Sequence, residues 1–182
     1  MTHKRSLTAA LVAATLLLSP VALSSAAMAE EAAGIDAFAT WEVDATAVKS
    51  GADEATLAGS LQGPVFIDTN KGPTYAGQVV CPGTLTINLV DGSQTGEGVC
   101  SFRAKDGAEL YGKWRCAGYH MVGCKGDFVV NGGSGRLEGV TGQSQMLIRG
   151  ELVEAAKMAG SAEAQSAVGI IVWHNLVATA AQ

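Results

Sequence analysis

The sequence predicts an all-β protein, an antiparallel β-barrel of about eight strands with little helix. All 23 glycines follow residue 33, and no stretch before residue 150 repeats apolar residues with a helical period. Short alternating segments follow one another instead, separated by turn residues. A β-sandwich is the alternative, but a barrel is favoured because closure removes exposed sheet edges.

Residues 1–29 are predicted to be a cleavable secretory signal peptide. Lys4 and Arg5 precede an apolar run, and the small-residue exit Ala-Met-Ala occupies 27–29. An uncleaved membrane anchor is the alternative, but Pro20 interrupts the run before it reaches the roughly 20 residues that span a bilayer. We therefore expect export to the periplasm or the medium, with no stable membrane insertion after cleavage.

Residues 30–182 are predicted to form a single β-barrel domain. Without Lys4 and Arg5, 10 basic residues face 17 acidic ones, so the mature chain carries a net charge of −7. Nucleic acids and anionic membranes select basic surfaces, and we expect neither as a partner.

The first two strands are predicted at 37–48 and 55–68. In the first, small and apolar residues alternate with polar ones and would share one face: Ala37, Ala39, Trp41, Val43, Ala45 and Ala47. Gly63 and Pro64 interrupt the second, and proline within a strand indicates a sheet edge or a bulge.

Six further strands are predicted over 78–89, 98–104, 109–116, 124–131, 144–153 and 168–179. The Asp-Gly pairs at 91–92 and 106–107 are strong hairpin signals. Glycines within 132–135 indicate a turn that needs positive φ, rather than an anion-binding loop. The alanine-rich stretch 154–167 has no strong apolar face, and we predict a loop there rather than a marginal helix.

Four cysteines, an even number in an exported chain, predict disulfides. Zinc is the alternative, but the cysteines lack the close paired spacing of structural zinc sites. A turn centred on His120 would place Cys116 opposite Cys124, which leaves Cys81 to pair with Cys100. The alternative joins Cys100 to Cys116, since the intervening hairpin also brings those strands together.

A glycine-rich segment and the last strand resemble a known family. Residues 123–142 contain a strand followed by GGSGRLEGVTG, and residues 169–176 read GIIVWHNL. Both resemble the barrel proteins related to allene oxide cyclase and dirigent proteins, particularly their small exported bacterial members. The resemblance implies a barrel. The plant cyclases act on an unstable fatty-acid epoxide in an apolar barrel, and dirigent proteins guide the coupling of phenolic radicals.

Five residues are candidate ligand contacts. Trp41, Trp114 and Trp173 lie on three predicted strands, where they could stack on an aromatic or lipid ligand or pack in the core. His174 would be a polar group in an apolar lumen if its face points inward, able to bind a ligand or transfer a proton; a structural histidine bonded to a neighbouring oxygen is the alternative. Arg149 would select a carboxylate if buried, and otherwise faces solvent.

Neither a metal nor another cofactor is predicted. His120 and His174 are isolated in sequence, and disulfides would consume the thiolates that a metal needs. Motifs for nucleotides, zinc proteases and catalytic triads are absent from the sequence.

We expect a disulfide-stabilised barrel that binds a small apolar ligand or serves as a scaffold. A cyclase-like or isomerase-like enzyme and a structural subunit of a homo-oligomer are the alternatives. A cavity of a few hundred Å³ with convergent polar groups would favour binding or catalysis, and a filled lumen would favour the structural role.

Overall fold

The computed structural model describes residues 34–120, 122–151 and 163–179. Eight strands occupy this part of the chain: β1 Ile35–Gly51, β2 Glu54–Ile67, β3 Thr74–Asn88, β4 Ser93–Ala104, β5 Glu109–Tyr119, β6 Gly123–Ser134, β7 Thr141–Glu151 and β8 Glu163–Thr179. Each strand pairs antiparallel with the next, and β1 pairs with β8. The predicted antiparallel barrel is confirmed, while the predicted signal peptide at 1–29 lies outside the described residues.

Seven of the eight strands are longer than predicted, β2 being the exception. β8 begins at Glu163, so residues 163–167 of the predicted loop are strand, because they continue the ladder with β1 as far as Ala47. The rest of that predicted loop, up to residue 162, lies outside the described residues. Pro64 sits within β2 and not at an edge, since the barrel is closed, and a register shift between Val65 and Phe66 lies beside it.

The lumen face of β1 follows the predicted alternation. All six residues assigned to that face are buried, from Ala37 to Ala47. Four of them are alanine, so β1 contributes little side-chain volume to the interior. At the hairpin between β4 and β5, Gly107 has φ +84°, the left-handed backbone that the Asp-Gly pair predicted.

Glycines on neighbouring strands make room for two indole rings. Trp41 of β1 is paired with Gly169 of β8, which is paired with Gly150 of β7, and the ring lies over both glycines. A Cβ atom added at Gly150 would lie 2.5 Å from Trp41 Cζ2. Trp114 of β5 lies in the same way over Gly98, its partner on β4. Because adjacent glycines leave a flat backbone surface, each ring lies against the barrel wall.

Both predicted disulfides are present, Cys81–Cys100 and Cys116–Cys124. Val80 pairs with Ser101 and Gly83 with Gly98, which puts Cys81 directly across from Cys100, at a Cα–Cα distance of 4.1 Å.

The predicted centre of the hairpin between β5 and β6 is wrong by one residue, which shifts its register by two. Tyr119 pairs with Gly123, so the hairpin is centred on position 121 and not on His120. Cys116 therefore lies opposite Gly126, and its disulfide reaches diagonally to Cys124, with the Cα atoms 5.4 Å apart. The two cysteines still bond because both side chains point into the lumen, where diagonal neighbours are within reach.

Candidate functional site

The lumen contains two cavities, one towards each end of the barrel. The large cavity, about 400 Å³, lies at the end where β1 begins and β8 ends. The small chamber, about 100 Å³, lies towards the turn between β1 and β2 and the turn between β3 and β4. The Cys81–Cys100 disulfide stands between them, because Cys81 lines the small chamber and Cys100 lines the large cavity.

The large cavity is lined almost entirely by apolar side chains. They include Ala37 of β1, Val79 of β3, Phe102 of β4 and Phe128 of β6. Among the described lining residues, Arg136 is the one with a titratable side chain. An apolar molecule would therefore exchange water for apolar contacts over most of its surface.

Trp173 lines the large cavity and carries a buried polar group. The residue is buried, and its ring meets Phe128 edge to face at 5.9 Å between ring centroids. Its Nε1–H has no hydrogen-bond partner among the described residues. A buried donor without a partner costs about 1–3 kcal/mol.

Arg136 lies at the margin of the large cavity. It belongs to the short 3-10 turn Gly135–Leu137, and its guanidinium is paired with Asp106 from the turn between β4 and β5. The Arg136 hydrogen bond holds the pKa of Asp106 below its ordinary value. The pair thus ties two loops together beside the cavity. Sequence reasoning missed Arg136, although it directly follows the glycine-rich turn.

Three residues that line the small chamber each carry a buried polar atom without a partner among the described residues. These atoms are Nε1 of Trp41, Nε1 of Trp114 and Oε1 of Gln94. Sequence reasoning missed Gln94 because polar residues usually mark an outer face. Its position six residues before Cys100 on β4 would have found it, because an even spacing puts both side chains on the same face of a strand.

The predicted contact residues divide between the inside and the outside of the barrel. Trp41, Trp114 and Trp173 all point inward and are buried. His174 follows Trp173 and therefore points outward, with 59% of its side chain exposed and Nδ1 3.9 Å from Asp36 Oδ1. His174 therefore lies on the outer wall, and it is not the polar lumen group that an inward-pointing side chain would have supplied.

Arg149 and the isolated histidines also lie away from the cavities. Arg149 is exposed, as its solvent-facing alternative expected, and its Nε donates to the Val122 carbonyl at 3.0 Å. His120 lies at the hairpin between β5 and β6, at the opposite end of the barrel from His174, and burial lowers its pKa. Within 34–120, 122–151 and 163–179, no three or more histidine, cysteine, aspartate or glutamate side chains are grouped as metal ligands.

Comparison with solved structures gives a distant similarity to a dirigent protein. The pterocarpan synthase dirigent protein is 15% identical with a TM-score of 0.31, over 88% of this chain and 97% of that protein. A similarity at this level is evidence for neither family membership nor function. No family model matches the sequence, and no curated protein matches it. In the described part of the chain, no helix has the length and apolarity needed to cross a bilayer.

Proposed function

We propose that this protein is an exported, disulfide-stabilised barrel that binds a small apolar molecule in its large cavity. The cavity itself is the observation that supports binding, because about 400 Å³ with an apolar lining falls within the range of small-molecule sites. Export is supported by the signal pattern at 1–29 and by two disulfides, which form in oxidising compartments.

The lining favours binding over catalysis. General acid–base catalysis needs a side chain that gains or loses a proton beside the substrate. The described lining of the large cavity includes no aspartate, glutamate, histidine, lysine or tyrosine side chain that could do so. The cyclase-like or isomerase-like alternative would therefore have to act through the shape of the cavity.

A structural role in a homo-oligomer is the second candidate. Apolar side chains on the outer wall favour it: Val80 on β3, Val99 on β4 and Val129 on β6 are each more than 40% exposed. Lys113 of β5 pairs with Val99 on one side and Val129 on the other, so a charged residue separates these two valines. Light scattering of the purified protein tests this candidate, since a monomer would contradict it.

Ligand binding is tested with decanoic acid as a lipid-like probe and naphthol as a phenolic probe. We expect a saturable change in tryptophan emission and a raised Tm, because a ligand that binds the folded state stabilises it. Ala37→Phe should weaken binding at least about tenfold, because the new ring would occupy the cavity. Ala58→Phe is the matched control, since Ala58 is exposed on the outer wall.

A panel of lipid-like and phenolic compounds without any response would contradict the binding proposal. Equal losses in the two phenylalanine variants would place the effect in stability and not in the cavity. Export is tested separately by intact mass, which should equal that of residues 30–182 less the hydrogens lost in two disulfides. A retained N-terminus would contradict cleavage after Ala29.

A further inference from the structure

We propose that a layer of buried side chains across the barrel, which the Cys81–Cys100 disulfide completes, limits the length of the ligand chain that the large cavity admits. The inference rests on the proposed function, because it concerns ligands of that cavity. Cys100 lines the large cavity and Cys81 lines the small chamber, so the disulfide is a common wall of both. The wall closes the large cavity on the side away from its opening.

The opposite side of the barrel carries the rest of the layer. On β1, Ala37 lines the large cavity and Trp41 lines the small chamber, whereas Ala39 between them belongs to the lining of neither. Among the described residues, Met146 of β7 and Ile171 of β8 likewise line neither cavity. These three side chains are 0–1% exposed. Together with the disulfide they form a closed layer between the cavities, here called the partition.

The disulfide is the least yielding part of the partition. Met146 is a flexible side chain that can change its rotamer, but a disulfide is held at both ends. Cys81 and Cys100 lie directly across from each other on β3 and β4, with their Cα atoms 4.1 Å apart. Since a packed interior has few voids larger than a water molecule, a ligand chain that reaches the partition must stop there.

A ligand with one charged end should enter the large cavity with its apolar end first. The opening lies at the end where β1 begins, because Ile35 and Arg136 both line the cavity and are exposed there. The remaining described lining is uncharged, and burying an unpaired carboxylate is strongly unfavourable. The carboxylate of a fatty acid therefore stays in water at the opening, and its terminal methyl group points towards the partition. The distance between the two sets the longest chain that is fully buried.

The volume of the small chamber sets the size of the expected effect. Each buried methylene group raises affinity about fourfold, whereas a methylene that stays in water adds almost nothing. The small chamber measures about 100 Å³. It has room for about three methylene groups, if each needs about the 30 Å³ that a water molecule takes in the liquid. Opening the partition should therefore raise the length limit by about three carbons.

The experiment measures the affinities of straight-chain fatty acids, from octanoic to octadecanoic acid, for the oxidised protein by tryptophan emission. With the unaltered protein, affinity should rise about fourfold per methylene up to a length limit and then stay constant. In Cys81→Ala/Cys100→Ala the limit should be about three carbons higher, and acids beyond the original limit should bind at least about tenfold more tightly.

Cys116→Ala/Cys124→Ala is the matched control. It also removes one disulfide, but both of its cysteines line the small chamber and neither lines the large cavity. The length limit should therefore stay where it is. A second control, Cys81→Ala/Cys100→Met, lacks the same disulfide as the opened variant but refills the gap with a side chain of similar volume, and it should restore the original limit.

An independent readout locates the end of the bound chain. Trp173 lines the large cavity, whereas Trp41 and Trp114 line the small chamber, so their indole signals in a nitrogen–proton NMR spectrum report on the two cavities separately. The longest acids should shift the Trp173 signal in the unaltered protein. In the opened variant they should also shift the Trp41 or the Trp114 signal.

Met146→Ala keeps the proposal testable if the opened variant does not fold. It leaves both disulfides in place and opens the partition from the opposite side, so it should also raise the length limit. An unchanged limit in the folded variants that open the partition overturns the proposal, as does a raised limit in either control or an unaltered protein without any limit. Binding of naphthol without binding of any fatty acid overturns this inference alone. Binding of neither overturns the proposed function as well.

Discussion

Substituting Gly150 by alanine tests whether glycine is needed so that Trp41 can lie against the barrel wall. The added Cβ would lie 2.5 Å from Trp41 Cζ2, whereas an ordinary contact is at least 3.4 Å. The indole must therefore move by about 1 Å towards the small chamber. The edge of the indole ring is the principal obstacle, since the nearest backbone atom, the Val168 carbonyl oxygen, would be 3.2 Å from the added Cβ.

Two opposing effects set the size of the change. Overpacking a well-packed interior costs about 1–3 kcal/mol. Replacing glycine within a strand contributes about 0.5–1 kcal/mol in the other direction, because alanine restricts the unfolded chain more. The difference runs from about 0 to about 2.5 kcal/mol, and we therefore expect Gly150→Ala to lower the free energy of unfolding by about 1 kcal/mol.

Urea unfolding in a double-mutant cycle separates the ring from other causes. In a Trp41→Leu background the obstacle is absent, so Gly150→Ala should be neutral or stabilising by up to about 1 kcal/mol. Equal destabilisation in both backgrounds would refute the reasoning, because the cost would then arise from the backbone.

Two further predictions concern the disulfides and the acid range. Replacing both cysteines of a disulfide by alanine should lower the free energy of unfolding by about 2.5 kcal/mol for Cys116–Cys124 and by about 3 kcal/mol for Cys81–Cys100, because the chain separations are 8 and 19 residues. Urea unfolding measures both losses. A larger loss from the shorter loop would contradict the chain-entropy explanation. Hydrogen bonds from Arg136 to Asp106 and from Tyr111 to Glu109 lower the pKa values of these two carboxyl groups from their ordinary 3.8 and 4.5. The two ionised carboxylates therefore stabilise the fold above their ordinary pKa values, and this stabilisation is lost as the pH falls through the lowered pKa values. Asp106→Asn should flatten the fall in Tm below pH 4, and an unchanged slope would show that the pair does not contribute.

Strand positions were predictable because alternation and turn residues are local signals. The six-residue face of β1 was predicted in full, and the Asp-Gly pair at 106–107 marked the β4–β5 turn. The start of β8 was not predictable from its alanine-rich sequence, because its strand conformation depends on pairing with β1. Pairing across the barrel is a property of the closed sheet, and a short window of sequence does not contain it.

The sequence offered inward-pointing tryptophans as one possibility, but it did not predict that the lumen holds two separate cavities. Which residues share a cavity depends on how strands are staggered around the barrel. The direction of His174 was not predictable either, because alternation shows which residues share a face of the strand but not which face points into the barrel. The adjacent Trp173 occupies the lumen and thereby fixes His174 on the outer wall.

The open lumen itself supports a binding role over a purely structural one. An eight-stranded barrel has an interior just wide enough for side chains to fill it. A cavity of about 400 Å³ therefore requires small side chains where larger ones would fit, and Ala37, Ala76 and Ala178 line it. Larger apolar residues there would bury more surface and stabilise the fold. The sequence keeps small residues at the cavity in spite of that loss of stability, whereas a purely structural barrel would gain from larger ones. We therefore expect cavity-filling substitutions to raise the free energy of unfolding and to weaken ligand binding.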